Sequence, residues 1–402
     1  MNEAIYRLMS GFPPTAADQV KASNWRTPRR ARWSFSHVRN LLPSAPIAPA
    51  AHPTSYELAW QDLASLSFFD RHNQRFDLNG FLKASHTDAF AVLHQGKLVF
   101  DWFDGFGAAD RPHIIFSITK SMAALLAGVL VGRGVLDPQD LVTDYLPELA
   151  ESAYKGAQLR HLLDMQIASD FSENYAETEG IFMAYRRAAA WNPVEEGVET
   201  DGLHCFLKRM PKSAKVSHGG VHHYCSPHSD VLGWVIERAG NDGFANQFSK
   251  NILQPCGGAY PGYITLDTLG VPRVSGGMCL GLHDLLLIGE MVRNQGSLQG
   301  VQVVPSTWIL DIMSPRDNSI WRAQKDSDGP RLFKNGNYRS LWYQTGLADQ
   351  EICAIGIHGQ WLWINPQKEL VIVKLASHDT EVDTETDKLM LAAFKAIGNA
   401  LT

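Results

Sequence analysis

Apolar residues gather in strand-like runs near both ends of the central chain and at helical spacing between them. Residues 89–94 (Ala-Phe-Ala-Val-Leu-His) and 97–103 (Lys-Leu-Val-Phe-Asp-Trp-Phe) flank Gln95-Gly96, which predicts a β-hairpin. The strand signal returns at residues 352–357, 361–364 and 370–375, with Asn365-Pro366-Gln367-Lys368 as the turn between the last two. From Leu136 to about Gly257 the pattern is helical, clearest at residues 159–166 and 230–239, and residues 384–401 also have helical spacing. The order strands, helices, strands, helix fits one sheet built from both ends of the chain with a helical lobe inserted, better than two successive domains. The expected class is therefore α+β, an α/β lobe plus an all-α lobe. Residues 1–55, rich in Pro, Ala and Ser, read as an irregular arm; 56–135 and 266–402 form the discontinuous sheet domain, and 136–265 the mostly helical insert.

Composition narrows the class without naming an activity. At 402 residues, 45% hydrophobic and 19% charged, the chain can bury a large core, and a net charge of -6 argues against a nucleic-acid partner. The one basic cluster, residues 26–32, lies between Trp25 and Trp33 and reads as a surface tie for the N-terminal segment. The five cysteines are scattered and imply no disulfide framework. Neither a secretory leader nor an apolar run of membrane-spanning length is visible, so no membrane partner and a reduced cytoplasmic location are expected.

The chemistry starts at Ser117-Ile118-Thr119-Lys120, a Ser-x-x-Lys tetrad directly before the apolar stretch 122–135. Residues three apart share a face in a first helical turn, which brings the Lys120 amine within reach of the Ser117 hydroxyl. Free N–H groups and the positive dipole end at a helix start favour an oxyanion and a neutral, proton-accepting lysine. A serine becomes a good nucleophile when a neighbouring base takes its proton. Ser117 fits an ordinary N-cap equally well on the tetrad alone. The tetrad recurs at Ser152-Ala153-Tyr154-Lys155, within a polar stretch that no apolar helix follows, and is read there as a chance match.

A second constellation is His223-Tyr224-Cys225-Ser226-Pro227-His228, in a loop before the helix at Asp230. Tyr224 and Ser226 sit two apart, so an extended loop turns both to one cleft. A tyrosine beside a lysine ammonium sheds its proton more easily and can shuttle one to a leaving group; a half-buried tyrosine with a capping serine is the plainer alternative. His204, His218, His222, His223 and His228 lack metal-ligand spacing, so no metal is expected, and no glycine loop of nucleotide-binding type implies a cofactor. The strand-like run Ala354-Ile355-Gly356-Ile357-His358-Gly359-Gln360 carries two glycines, a mark of a bulge or of close approach to a ligand. An N–H from it, paired with that of Ser117, could form an oxyanion hole, with a bulge the plainer explanation of the run by itself.

The order Ser-x-x-Lys, Tyr-x-Ser about a hundred residues later, then a glycine-bearing strand near the end resembles the penicillin-recognising serine hydrolases. Within that group the chain is most similar to the 6-aminohexanoate-dimer hydrolases, with class C β-lactamases and family VIII carboxylesterases as relatives. Leu163-Asp164-Met165-Gln166-Ile167, Tyr224-Cys225-Ser226, Gly356-Ile357-His358-Gly359-Gln360 and Val371-Ile372-Val373-Lys374-Leu375 carry the likeness. The resemblance implies a serine β-lactamase-like fold, an antiparallel sheet flanked by helices with an inserted helical domain. It implies Ser117 as acylated nucleophile, Lys120 as its base, Tyr224 as proton shuttle, and the N–H groups of Ser117 and Ile357 as oxyanion hole. Tyr175 would contact the scissile amide nitrogen, with Ser226, Ser275 and His358 on the substrate side.

Two departures from that pattern bear on substrate. Arg186 stands where efficient dimer hydrolases present an acidic residue to the substrate's free amine, and an arginine repels that amine. The lysine of the Lys-Thr-Gly element of most β-lactamases is missing, with Ala354 or His358 opposite it, which implies weak recognition of a β-lactam carboxylate. The expected function is hydrolysis of small amides or esters through an acyl-enzyme, without cofactor or metal. A short-chain carboxylesterase and a non-catalytic binding module are the alternatives, and a homodimer is compatible with each.

Overall fold

The computed structural model describes residues 3–175, 177–193, 201–325 and 327–402. Its largest sheet has eight strands in the order Asn337–Arg339, Trp342–Gln344, Ile352–Gly356, Gln360–Asn365, Leu370–Ala376, Thr87–His94, Lys97–Phe103 and Glu57–Leu58. All neighbours are antiparallel except the last pair. Strands from the two ends of the chain meet in the middle, where Val373 pairs with Leu362 on one side and Ala91 on the other. The predicted hairpin forms, and Gln95 (φ 52°) and Gly96 (φ 75°) both take the left-handed backbone that a tight two-residue turn requires.

Both faces of this sheet are covered, which is why its central strands read as continuous apolar runs. Val371 and Leu362 approach Gly289 of the helix Leu282–Arg293, while Trp361 and Trp363 on the opposite pleat meet Phe394 of the helix Thr384–Leu401. The helix Ile118–Gly132 is buried all round from Ile118 to Leu130, as its Met-Ala-Ala-Leu-Leu-Ala-Gly-Val sequence demands. It packs against the helix Ser226–Gly240. There Pro227, in the first turn, is pre-set for a helix start.

The first 55 residues carry more structure than an irregular arm. Ser44–Ile47 pairs with Gly262–Thr265 in a second sheet of four strands, in the order Ser44–Ile47, Gly262–Thr265, Met278–Leu280 and His113–Ile114. Trp25, Trp33, Phe35 and Val38 form a second apolar core with Ile114, Phe116, Trp191 and Tyr263. The N-terminal segment thereby packs under Phe116, the residue before Ser117. Nor is the basic cluster a surface tie throughout. Arg32 is buried in ion pairs with Asp88 (2.8 Å) and Asp104 (3.3 Å), and Arg26 leans on the rings of Trp25 and Trp191. Among the described residues, no helix is long and apolar enough to cross a membrane.

Candidate active site

Ser117 sits half-buried at the start of the Ile118–Gly132 helix, immediately after Phe116, which is held at φ 43°. Left-handed backbone at a bulky residue is strained, and here rings of Trp25, Phe35 and Trp191 packed around Phe116 hold it in place. Lys120 Nζ lies 2.8 Å from Ser117 Oγ and donates to the Ser275 carbonyl at 2.6 Å. Burial, with a smaller push from the nearby Arg273, lowers its pKa to about 8 against the opposing pull of Glu173 and Asp230.

Tyr224 completes the trio. Its hydroxyl shares a hydrogen bond with Ser117, and the Lys120 amine stands 5.0 Å from its ring centre. Loss of solvent raises the phenol well above its usual range; Glu173 adds to the rise and the bond to Ser117 opposes it. The expected easy loss of the Tyr224 proton is therefore reversed: burial outweighs the lysine, so the resting phenol keeps its proton and acts as a donor. Ile357 lies across the cleft, lining it with Ser117. Among the described residues neither the Ser117 N–H nor the Ile357 N–H is taken up by a hydrogen bond.

A carboxylate absent from the sequence reading organises the other wall. Glu173 accepts the Tyr175 hydroxyl at 2.7 Å, the Ser226 hydroxyl at 2.8 Å and the Ser226 N–H at 2.7 Å. Ser226 is thus the first residue of a helix, with its hydroxyl bound to Glu173 and not presented beside Tyr224. Asp230, one turn on, accepts the Ser275 N–H at 2.8 Å and the Tyr185 hydroxyl, which itself lies 2.9 Å from Ser275 Oγ. The Ser275 side chain is accordingly tied inward, while its carbonyl holds Lys120. Nothing local in sequence marks Glu173, Asp230, Tyr185 or Arg273, since each acts through a partner distant in the chain.

Ser117 borders two spaces. The wider, about 500 Å³, is lined by Tyr224, His223, Tyr343, Ile355, Gly356 and Glu381 among others; Tyr175, Glu173 and Ile357 border it too. The narrower, about 20 Å³ of room for atom centres, is lined by Arg26, Arg186, Arg273, Trp191, Ser226 and Ser275, again with Tyr175 and Ile357. Arg186 therefore faces the site. His358 does not line either: it is fully buried, with Nδ1 2.8 Å from the His378 carbonyl and its ring against Phe35 and Phe116. Its left-handed backbone (φ 61°) turns the side chain into the second core.

The alternative features resolve separately. Ser152 donates to the Leu149 carbonyl at 2.7 Å and Lys155 pairs with Glu151 at 3.1 Å, so the second tetrad does not bring its own serine and lysine together. His204 stacks on Trp234, His218 accepts from the Ala168 N–H, and His228 lies between Tyr154 and Ser169. Among the described residues no three His, Cys, Asp or Glu side chains gather as a metal site.

The Beta-lactamase family model matches residues 81–396. The chain is 30% identical over 368 residues to the 6-aminohexanoate-dimer hydrolase of Paenarthrobacter ureafaciens, covering 91% of this chain and 90% of the relative. A solved structure from Bacillus anthracis, provisionally named for the same activity, superposes with a TM-score of 0.84 at 21% identity, covering 96% of this chain and 98% of that one. A family VIII carboxylesterase superposes with a TM-score of 0.57 at 16% identity, covering 79% and 95%.

Proposed function

The chain belongs to the β-lactamase family as a serine hydrolase of the amidase and esterase type, and from that premise we propose that it cleaves small linear amides through an acyl-enzyme on Ser117. The observation that carries this reading is the 2.8 Å contact between Lys120 Nζ and Ser117 Oγ beside a cavity of about 500 Å³. A lysine whose pKa is lowered to about 8 is in part neutral near pH 7 and can take the serine proton as Oγ attacks the carbonyl carbon. The N–H groups of Ser117 and Ile357 stabilise the resulting oxyanion. Tyr224, protonated at rest, delivers its proton to the leaving nitrogen and regains one from Lys120. Water then attacks the acyl-serine, with Lys120 again as base, and releases the acid.

Tyr175 supports an amide over an ester. Its only hydroxyl proton is committed to Glu173 at 2.7 Å, so Oη offers lone pairs to the cleft. The N–H of a scissile amide can donate to that oxygen, and an ester has no such proton. The relative from Paenarthrobacter ureafaciens, named a 6-aminohexanoate-dimer hydrolase, supports an amide substrate. The strand edge facing the wider cavity presents Ile355, Gly356 and Ile357, with no cation for a β-lactam carboxylate. The five described cysteines are unpaired, which supports the reducing cytoplasm as the compartment.

A panel of linear amide oligomers, p-nitrophenyl esters and a cephalosporin tests the assignment. Amides and esters are turned over and the cephalosporin is poor; ester turnover with no amide turnover transfers the assignment to a short-chain carboxylesterase. Failure of every acyl compound leaves only a binding module.

A further inference from the structure

The narrow space beside Ser117 is walled by three guanidiniums. Arg186 and Arg273 are buried and Arg26 is half-buried. Aromatic faces hold them where carboxylates usually would: Arg273 lies 4.0 Å from the Trp191 ring centre and 4.5 Å from that of Tyr185, Arg26 5.6 Å from Trp191, and Arg186 4.4 Å from Phe182. None of the three is in an ion pair among the described residues. Arg26 gives one N–H to Asn192, but its Nη1, and both Nε and Nη1 of Arg273, are buried with no hydrogen-bond partner among the described residues.

Burial first, and then mutual repulsion, pulls Arg26 down to about 9 and lowers Arg186 too. Like charges gathered out of water with donors unspent are costly, and an anion placed among them relieves both costs. A planar carboxylate matches the fork of a guanidinium, and the small volume excludes a ring or a bulky headgroup.

The two spaces also separate the two halves of a substrate. Tyr224, which serves the leaving group in the reading above, borders only the wider cavity, and the three arginines border only the narrow one. With the carbonyl at Ser117, the leaving amine extends into the wide cavity, and only the small polar end of the acyl group has to enter the arginine cleft.

We propose that Arg26, Arg186 and Arg273 form an acyl-side carboxylate subsite, and that the substrates are monoamides of short dicarboxylic acids. The inference rests on Ser117 being the nucleophile. Water and the monoamide yield the free dicarboxylate and the amine: the carbonyl C–N bond breaks, the amine nitrogen leaves with a proton relayed by Tyr224, and the oxygen of water ends in the new carboxylate.

The test compares mono-p-nitroanilides of succinic, glutaric and adipic acids with the butanoyl, pentanoyl and hexanoyl anilides, and with the cationic 4-aminobutanoyl anilide. At least one carboxylated anilide exceeds its neutral counterpart by about tenfold or more in kcat/KM, as charge-assisted bidentate contacts give. Arg273→Gln and Arg186→Gln shrink that ratio, and Arg186→Asp raises the 4-aminobutanoyl rate several-fold. A second measurement does not depend on turnover: Ser117→Ala protein binds glutarate at least tenfold more tightly than pentanoate in a calorimetric titration. Equal rates on carboxylated and neutral anilides, or equal binding of the two acids, overturn the subsite while activity on p-nitrophenyl acetate leaves the hydrolase reading standing. Wild-type-like turnover by Ser117→Ala overturns both.

Discussion

Lys120 Nζ donates to the main-chain carbonyl of Ser275 at 2.6 Å, and that bond aims the amine at Ser117. The Ser275 loop is in turn fixed by Asp230, which accepts its N–H at 2.8 Å from the first turns of the Ser226–Gly240 helix. The base is therefore positioned by the Ser226–Gly240 helix as well as by its own helix. The Ser152 tetrad starts no helix, and its serine and lysine are spent on Leu149 and Glu151.

Ser117→Ala should reduce turnover by on the order of 10⁴ or more with the thermal transition preserved, because loss of one member of a nucleophile set removes the shared pathway. Ser152→Ala should stay within about twofold of the parent, since its hydroxyl serves the Leu149 carbonyl. Steady-state rates on one amide and one ester decide both. A dead Ser152 variant with an active Ser117 variant would reverse the choice of nucleophile.

The pH dependence follows from Lys120. Only the neutral amine accepts the serine proton, so kcat/KM for the free enzyme should climb with pH and reach half its plateau near pH 8, the value to which burial lowers the group. The sign for stability agrees. A lysine lowered from 10.5 to about 8 is protonated in the unfolded chain and neutral in the folded one between those values, so its contribution to stability rises with pH across that window. A rate profile flat from pH 6 to 9 would remove Lys120 as the base.

Much of the fold and part of the site were legible where the signal was local. Gln95-Gly96 between two apolar runs specified the hairpin, and the spacing at residues 384–401 matched the helix Thr384–Leu401. The contact between Ser117 and Lys120 was legible because one helical turn brings the two side chains together. Glu173 and Asp230 did not, since their meaning comes from Ser226 and Ser275, 53 and 45 residues away. Arg26 was misread because an arginine-rich run looks solvated; the flanking Trp25, 1% exposed, was the sign that this stretch turns inward. His358 was misplaced because a left-handed residue breaks the alternation that assigns side chains to faces.

Extensive dialysis against EDTA should leave the rate unchanged. The histidines of the 204–228 region are spent on separate partners, among them Trp234, the Ala168 N–H and Tyr154. A loss of rate restored by zinc would contradict the mechanism.

Gly356→Ala should harm both fold and rate. A Cβ there would stand 2.6 Å from the carbonyl oxygen of Ile115, a main-chain atom two residues before Ser117 that has little freedom to retreat. Forcing the strand and the nucleophile turn apart costs about 1–3 kcal/mol and displaces the Ile357 N–H from Ser117. Chemical denaturation and kcat on a common substrate should fall together. An active, fully stable variant would show that the oxyanion donors lie elsewhere.

Glu173→Gln separates positioning from bulk structure. The carboxylate accepts from Tyr175 Oη, Ser226 Oγ and the Ser226 N–H, and a glutamine offers one acceptor oxygen and an amide that must donate. Tyr175 then loses the partner that fixes its proton, and its lone pairs no longer face an amide N–H. Hydrogen bonds to a charged group are worth about 1.5–3 kcal/mol, so kcat/KM on amides should drop roughly ten- to hundredfold, with a smaller loss on esters that never used that contact. The pH midpoint should move as well. Glu173 raises the Lys120 pKa, so removing its charge lowers the midpoint below that of the parent enzyme. Equal losses on amides and esters with an unmoved midpoint would mean that Glu173 supports only the local fold and that Tyr175 has no part in choosing the amide.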